Sequence, residues 1–263
     1  MDLTVLKKDK ENMDVLLDGI NSSMINTLRR VSIGNVPVMA IKDVTFSKNT
    51  SALYDEIIAH RMGLMPIKTD LKSYGLQNEC KCKGAGCARC QTTFVLKVAG
   101  PGTVYAKDLK IKDPGITVVH PNLPIVKLLK NQKLEIEGTI TLGKGKEHTK
   151  YSPCLAYYKA YPQVSVGKDL KNSDVALDSC PVNVFDKKGS NLNIKNEKDC
   201  IMCNACVDVA DPKGSITVEP NENKFIFTIE SWGQLEHKEI LEEGLNQFDL
   251  KLEEFKKTLK KAK

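Results

Sequence analysis

Two groups of cysteines place the strongest constraint on how this chain folds. The first lies in CKCKGAGCARC, where four cysteines have the spacing C-x-C-x4-C-x2-C: Cys80, Cys82, Cys87 and Cys90. Gly84 and Gly86 allow the chain between the two pairs to fold back tightly. Four thiolates brought together match the tetrahedral ligand set of a structural zinc ion. We therefore predict a closed Zn²⁺ site at residues 80–90, with four oxidation-prone free thiols as the alternative.

The second group lies in DCIMCNACVDVADP, Asp199 to Pro212. Cys200, Cys203 and Cys206 have the spacing C-x2-C-x2-C, which is typical of iron–sulfur proteins. The bacterial ferredoxin motif continues with three residues, a fourth cysteine and a proline. Here Ala210 stands at the position of the fourth cysteine, so the motif lacks one ligand.

Cys180 is the natural candidate for the missing ligand. It precedes a proline in SCPVNVF, and in two-cluster ferredoxins the cysteine before the proline of one motif ligates the cluster of the other. Residues 170–179, LKNSDVALDS, lack the cysteines that would begin a first complete motif. We predict one [4Fe-4S] cluster held by Cys180 and the three cysteines of the second group. A [3Fe-4S] cluster on fewer cysteines and a zinc ion are the alternatives.

Composition and charge exclude several other classes. Nine cysteines without a readable secretory signal favour metal binding over disulfides, and we expect a cytoplasmic protein. No run of 18 apolar residues is present, so we expect no membrane association. Part of the net charge of +6 lies in the tail KLEEFKKTLKKAK. Few aromatic residues lie between its lysines, so we expect a solvated helix face rather than a nucleic-acid-binding patch. Cys154 has no partner at metal spacing and is expected in the core.

The periodicity of apolar residues predicts an α+β fold. Residues Ile20 to Ile33 have a helical apolar stripe, with Asn21, Ser22 or Ser23 as the cap and Gly34 as a left-handed stop. The chain between the terminal helices is rich in β-branched and aromatic residues that largely alternate with polar ones. The clearest predicted strands are Thr92 to Val98, Leu134 to Leu142 and Lys224 to Glu230.

The C-terminal region has a narrow apolar seam. Its members are spaced by 4, 3, 4, 3 and 4 residues, as a and d positions of nearly three heptads are: Leu241, Leu245, Phe248, Leu252, Phe255 and Leu259. This pattern fits a helix that packs on its own sheet, and it fits equally a helix that pairs with another subunit.

No catalytic motif is present. The chain contains no D-x-D-x-D grouping of the kind that binds two catalytic metal ions, and no phosphate-binding loop. The four histidines are scattered, and each is expected to be structural or exposed.

Four further segments have a recognisable pattern. They are DGINSSMINTLRRVSIGNVPVMAI (Asp18 to Ile41), IAHRMGLMPI (Ile58 to Ile67), GKGKEHTKYSP (Gly143 to Pro153) and FIFTIESWG (Phe225 to Gly233). In this order they resemble the alpha-subunit family of RNA polymerase. The second segment is similar to an AHR-x-GL-x-P segment of the archaeal and eukaryotic branch. Together with these segments, the ferredoxin-like insert resembles the archaeal D-type members of the family.

The resemblance implies a domain organisation. Residues 1–45 and 222–263 are expected to form an alpha-type dimerisation domain. Residues 46–165 are expected to form an inserted β-rich domain with the zinc loop, and residues 166–221 a ferredoxin-like iron–sulfur domain.

The resemblance also implies a function without an active site in this chain. D-type members pair with the small subunit L through helices of their dimerisation domains, and two further small subunits, N and P, join them. The resulting platform recruits the two large catalytic subunits, so that DNA is contacted only indirectly. The residues expected at the interface are Met24, Leu28, Arg29, Arg30, Leu241, Leu245, Phe248, Leu252 and Phe255. The alternative is an electron-transfer iron–sulfur subunit of an oxidoreductase complex.

Overall fold

The computed structural model describes residues 1–189 and 191–262; Ser190 and Lys263, which fall in the predicted ranges 166–221 and 222–263, lie outside the described residues. The strands are β1 (Asp2–Lys8), β2 (Asn12–Asp18), β3 (Pro37–Asn49), β4 (Gln91–Ala99), β5 (Gly102–Tyr105), β6 (Lys110–Ile111), β7 (Pro124–Leu128), β8 (Lys133–Lys144), β9 (Cys154–Val166), β10 (Phe185–Lys188), β11 (Asn191–Ile194) and β12 (Ile216–Ser231). The helices are α1 (Ser22–Gly34), α2 (Asp55–Gly63), α3 (Ser173–Asp178), α4 (Ala205–Val209) and α5 (His237–Lys261). The predicted α+β class is confirmed.

The chain forms two compact units, each built from separate segments. The first contains Met1–Lys7, Asp14–Asn26 and Tyr157–Thr228, and the second contains Lys8–Met13, Thr27–Ala156 and Ile229–Lys263.

An antiparallel sheet in the order β3-β8-β4-β6 forms the frame of the second unit. On β4 the buried residues Thr92, Phe94 and Leu96 alternate with exposed ones, as half-buried strands require. Gly138, in the central strand β8, lies where no side chain fits. A Cβ there would be 2.3 Å from the Asp43 carbonyl oxygen and 2.8 Å from the Phe94 ring. The predicted strands 92–98 and 134–142 are confirmed as the inner parts of β4 and β8.

Helix α1 begins with one of the predicted caps. The Asn21 Oδ1 accepts a hydrogen bond from the Met24 N–H at 2.9 Å, which satisfies one free donor of the first turn. The predicted left-handed stop at Gly34 is wrong, because the helix includes Gly34 and the φ of this residue is not positive. Its carbonyl accepts a hydrogen bond from the Lys146 N–H at 3.0 Å.

Helix α5 belongs to the second unit and packs against the rest of that unit through one face. This face carries the buried residues His237, Ile240 and Gly244. A Cβ at Gly244 would lie 3.5 Å from side-chain atoms of Val31 and Ser32, so the two helices pack closely here. At the start of α5, the His237 Nε2 lies 2.9 Å from the Glu11 carbonyl oxygen.

A sheet in the order β1-β2-β12-β9 forms the frame of the first unit. The predicted strand 224–230 lies within β12, which is longer than expected. Strands β1 and β2 were not predicted, although the alternation of buried Val15 and Leu17 with less buried neighbours in β2 is a signal for them.

A small subdomain of the first unit lies between β9 and β12 in sequence. It contains α3, the β10–β11 hairpin, a 3₁₀ turn at Glu197–Asp199, and α4. Asn172, before α3, joins the two helices: its Nδ2 donates to the Val209 carbonyl at 2.7 Å, and its Oδ1 accepts from the Asp211 N–H at 3.0 Å. The hydrophobic core of this subdomain contains Val164, Ala176, Val184, Phe185, Leu192, Cys200, Cys206, Ala210 and Ile216.

Truncation of Phe94 is expected to destabilise the second unit. Phe94 is 1% exposed, so Phe94→Ala should lower the free energy of unfolding by about 3–5 kcal/mol, measured by urea denaturation. The matched control is Phe255→Ala, which removes a ring that is 61% exposed and should change stability by less than about 0.5 kcal/mol. Equal losses for the two variants would contradict this assignment of the core.

Candidate metal centres and partner surface

The first cysteine group forms a compact set of four sulfurs. The Sγ atoms of Cys80 and Cys87 are 3.6 Å apart, and so are those of Cys82 and Cys90. All four ligand atoms lie within 4.8 Å of one another. A tetrahedral zinc ion with Zn–S bonds of about 2.3 Å sets its sulfurs about 3.8 Å apart. The structure therefore brings the four predicted ligands to the spacing that such an ion requires.

Local backbone geometry produces this arrangement. Lys83, Gly84 and Gly86 have positive φ values of 54°, 86° and 84°, which turn the chain back between the two cysteine pairs. The Cys87 N–H points at the Cys90 Sγ at 3.3 Å. These turns are short-range, which explains why the sequence alone indicated the site.

The thiols of this group have strongly different proton affinities. A hydrogen bond with Cys80 lowers the pKa of Cys82 to about 6, whereas burial raises the pKa of Cys90 to about 12. A metal ion binds thiolates, so binding near neutral pH displaces protons from this group.

The cysteine loop is tied to the sheet of its own unit through Gln77. The Gln77 Nε2 donates to the Gly84 carbonyl at 3.2 Å, and its Oε1 accepts from the Lys42 Nζ at 2.8 Å. Cys90 leads directly into β4. Ordering of the loop is therefore coupled to β3 and β4.

The second cysteine group lies in the small subdomain of the first unit. Cys200 and Cys206 are buried in its core, Cys180 is partly buried, and Cys203 is exposed. Burial raises the pKa of Cys206, and the neighbouring Cys200 and Cys180 raise it further. Cys180 is therefore near Cys206, although it stands 26 positions earlier in the sequence.

Backbone groups surround these sulfurs. The Val184 N–H donates to the Cys180 Sγ at 3.4 Å, and the Met202 N–H donates to the Cys200 Sγ at 3.4 Å. Asn183, Met202 and Asn204 have positive φ values of 54°, 55° and 61°, a conformation uncommon outside glycine. These three residues lie close in sequence to the cysteines, and their positive φ values bend the backbone around the sulfurs.

The two cysteine groups differ in compactness. Among residues 1–189 and 191–262, only the first group brings three or more ligand atoms of His, Cys, Asp or Glu within 4.8 Å of one another. A four-iron cluster lies between its ligands, so its thiolates are not required to touch. The wider spacing of the second group is compatible with a cluster and does not identify one.

The C-terminal seam lies along α5 on a face that the described chain leaves in solvent. With about 100° of rotation per residue, the seam is centred about 80° around the helix from the Ile240–Gly244 face. Leu245 is 53% exposed and Phe255 61%, and Leu252 and Leu259 are also exposed. Leu241 and Phe248 are half-buried. Packing on the protein's own sheet therefore does not account for this seam.

The other predicted interface residues lie on α1. Met24 and Arg30 are exposed, whereas Leu28 and Arg29 are half-buried. Sequence reasoning missed Leu3 and Val5 on β1, which are exposed apolar residues on an edge strand. Their alternation with polar residues is a weak signal that was available.

Other candidate residues have structural positions. His237 is buried against the Glu11 carbonyl, and His60, His120 and His148 are exposed. Cys154 is buried, as expected for a core residue. No described helix has the length and apolarity needed to cross a bilayer.

Comparison with known proteins gives the family. The sequence model of the RNA polymerase Rpb3/RpoA insert domain matches residues 39–153. DNA-directed RNA polymerase subunit Rpo3 of Methanosphaera stadtmanae is 34% identical over 249 residues, which cover 92% of each chain. The chain belongs to the Rpo3 family. The Archaeoglobus fulgidus and Pyrobaculum arsenaticum Rpo3 proteins are also 34% identical, over 98% of this chain. The resemblance to the polymerase alpha-subunit family is thereby confirmed for this Rpo3-family chain, whereas a ferredoxin-like insert remains a prediction.

Removal of one sulfur is expected to abolish metal binding by the first group. Cys87→Ser should release the bound metal and increase hydrogen exchange over residues 77–90, because the loop loses a ligand. Metal analysis and hydrogen-exchange mass spectrometry would measure this. The control is Cys154→Ala, which lies outside the group and should keep the metal. Full retention of metal by Cys87→Ser would contradict the site.

Proposed function

We propose that this chain is a non-catalytic assembly subunit of a DNA-dependent RNA polymerase. It pairs with subunit L, and the pair, with subunits N and P, forms the platform for the two large catalytic subunits. The observation that carries the proposal is the identity of 34% to several Rpo3 proteins along nearly the whole chain. The chain would contact DNA only through the complex and would act in the cytoplasm.

The chemistry of the described side chains supports a role without catalysis. Nucleotide polymerisation requires carboxylates clustered around two metal ions. In the described part of the chain, the one compact group of metal-binding side chains consists of cysteines. Four thiolates close a coordination shell and leave no open position for a substrate.

The α5 seam supports pairing with subunit L. Exposed apolar side chains at heptad spacing form a continuous stripe of the kind that pairs with a helix of another chain. We assign the partner surface to this seam together with Met24, Leu28, Arg29 and Arg30 of α1.

The domain organisation remains as the resemblance implied. We propose a dimerisation domain in 1–45 and 222–263, an inserted β-rich domain in 46–165, and an iron–sulfur domain in 166–221. The match of residues 39–153 to the insert-domain model supports the second of these.

We assign zinc to Cys80, Cys82, Cys87 and Cys90. The support is the sulfur spacing, which suits Zn–S bonds of about 2.3 Å, and the choice of four thiolates, which is typical of structural zinc. The ion would stabilise the loop and, through Gln77, its attachment to β3.

We assign one [4Fe-4S] cluster to Cys180, Cys200, Cys203 and Cys206, with [3Fe-4S] as the alternative. Two observations support the fit: two backbone N–H groups are aimed at sulfurs, and thiols are close enough to perturb one another. When bound, the cluster would supply four cysteine bonds that stabilise a subdomain with a small core.

An electron-transfer subunit is the weaker candidate. The relatives that span the chain are named as polymerase subunits, and this favours assembly over redox chemistry.

A charge placed in the α5 seam is expected to disrupt pairing with subunit L. Phe255→Asp should weaken the pair by at least about 2 kcal/mol, or roughly 30-fold in Kd, if Phe255 is an anchor of the interface. Leu250→Asp is the matched control, since Leu250 is 57% exposed on the same helix, about 180° from the seam. Titration calorimetry would measure both, and equal affinities would contradict the interface.

Loss of one cluster ligand is expected to unfold only the iron–sulfur domain. Cys203→Ser should increase hydrogen exchange over residues 170–215, because the small core loses its metal–sulfur bonds. Affinity for subunit L should remain at the wild-type value. Dissociation of the pair in this variant would show that the insert belongs to the interface and would contradict the domain map.

A further inference from the structure

Lys159, on β9, contacts the segment that carries Cys200. Its Nζ donates hydrogen bonds to the carbonyl oxygens of Lys198 at 2.7 Å and Cys200 at 3.1 Å. The Glu197–Asp199 3₁₀ turn ends at Cys200, and carbonyls at the end of such a turn lack partners within it. The ammonium group of a residue outside the cysteine motif therefore donates a hydrogen bond to the backbone carbonyl of a predicted cluster ligand.

A second contact fixes the same turn to the same strand. The Glu197 Oε1 accepts a hydrogen bond from the Val164 N–H at 2.9 Å. This N–H is available because β9 is the edge strand of its sheet. The turn before Cys200 is thus attached to β9 at two points, one through Lys159 and one through Glu197.

The positive charge of Lys159 is not used in an ion pair. In the described part of the chain, no carboxylate oxygen lies within 4.0 Å of its ammonium group. Lys224, also in the first unit, differs in this respect: its Nζ lies 3.2 Å from the Asp18 carboxylate. The half-buried Lys159 ammonium is therefore directed at the Cys200 backbone.

We propose that Lys159 is a positioning residue for the iron–sulfur cluster, an inference that rests on the cluster assignment made under Proposed function. By fixing the Lys198 and Cys200 carbonyls, it holds the Cys200 thiolate in place for the cluster. Its charge beside a ligand also stabilises the reduced cluster, which carries one more electron, because net charge near a cluster sets its potential.

The test compares three variants of the full chain purified anaerobically. Lys159→Gln removes the charge and weakens both contacts, and Lys159→Arg keeps a charged donor. Lys198→Gln removes an exposed charge from the same turn while its carbonyl remains. Water and salt screen an exposed charge, so Lys198→Gln should change the potential little. The rate of iron release to a ferrous chelator measures positioning. The midpoint potential, from titration with dithionite followed by EPR, measures the effect of the charge.

We expect Lys159→Gln to release iron about tenfold or more faster than wild type, the range found when outer partners of metal ligands are removed. Its midpoint potential should be lower than that of wild type. Lys159→Arg and Lys198→Gln should both remain close to wild type. Failure of Lys159→Gln to assemble a cluster that Lys159→Arg retains would also support the inference.

Two results would overturn this inference while the cluster assignment stands. One is a wild-type release rate and potential in Lys159→Gln, and the other is equal effects of Lys159→Gln and Lys198→Gln. Wild-type protein without iron and sulfide would refute the cluster assignment itself, and the role of Lys159 with it.

Discussion

The packing of α5 against α1 determines which face of α5 remains in solvent. At Gly244 even one added methyl group would be in van der Waals contact with Val31 and Ser32, so the helix backbone lies close to its neighbour. His237 and Ile240 are buried on the same face. With this face fixed, the seam of leucines and phenylalanines lies to one side of it, and four of its six side chains are exposed. Its exposure carries a free-energy cost of about 25 cal/mol per Å² of apolar surface, which the proposed partner helix would remove.

The two cysteine groups connect parts of the chain on different scales. The Cys80–Cys90 loop closes over eleven residues and needs only two tight turns to bring its sulfurs into contact. The second group joins a cysteine after α3 to three around α4 and surrounds a small apolar core. We interpret the first group as a local cross-link within one loop that leads into the sheet. We interpret the second group as the centre around which a whole subdomain folds.

The parts of the fold that depend on local sequence patterns were predicted better than the parts that depend on contacts between distant residues. The helical stripe gave α1 and the heptad spacing gave α5, because both depend on neighbours within two turns. Gly34 was misread as a stop: the helix includes it, and its carbonyl accepts a hydrogen bond from Lys146, more than 100 residues away. The strands β1 and β2 were not predicted, although β2 has a local alternation of buried and less buried residues. Their pairing with β12 and β9 in one sheet has no local signature. Lys159 was missed for the same reason: it meets Cys200 through a backbone carbonyl, which leaves no trace in residue type.

The most direct test of the account is native mass spectrometry of this chain co-expressed with subunit L and purified without oxygen. The account predicts one species that contains one copy of each chain, one zinc ion, and the mass of four iron and four sulfide atoms. A chain that remains monomeric would contradict the assembly role. A heterodimer without iron and sulfide would contradict the assignment of Cys180, Cys200, Cys203 and Cys206 to a cluster.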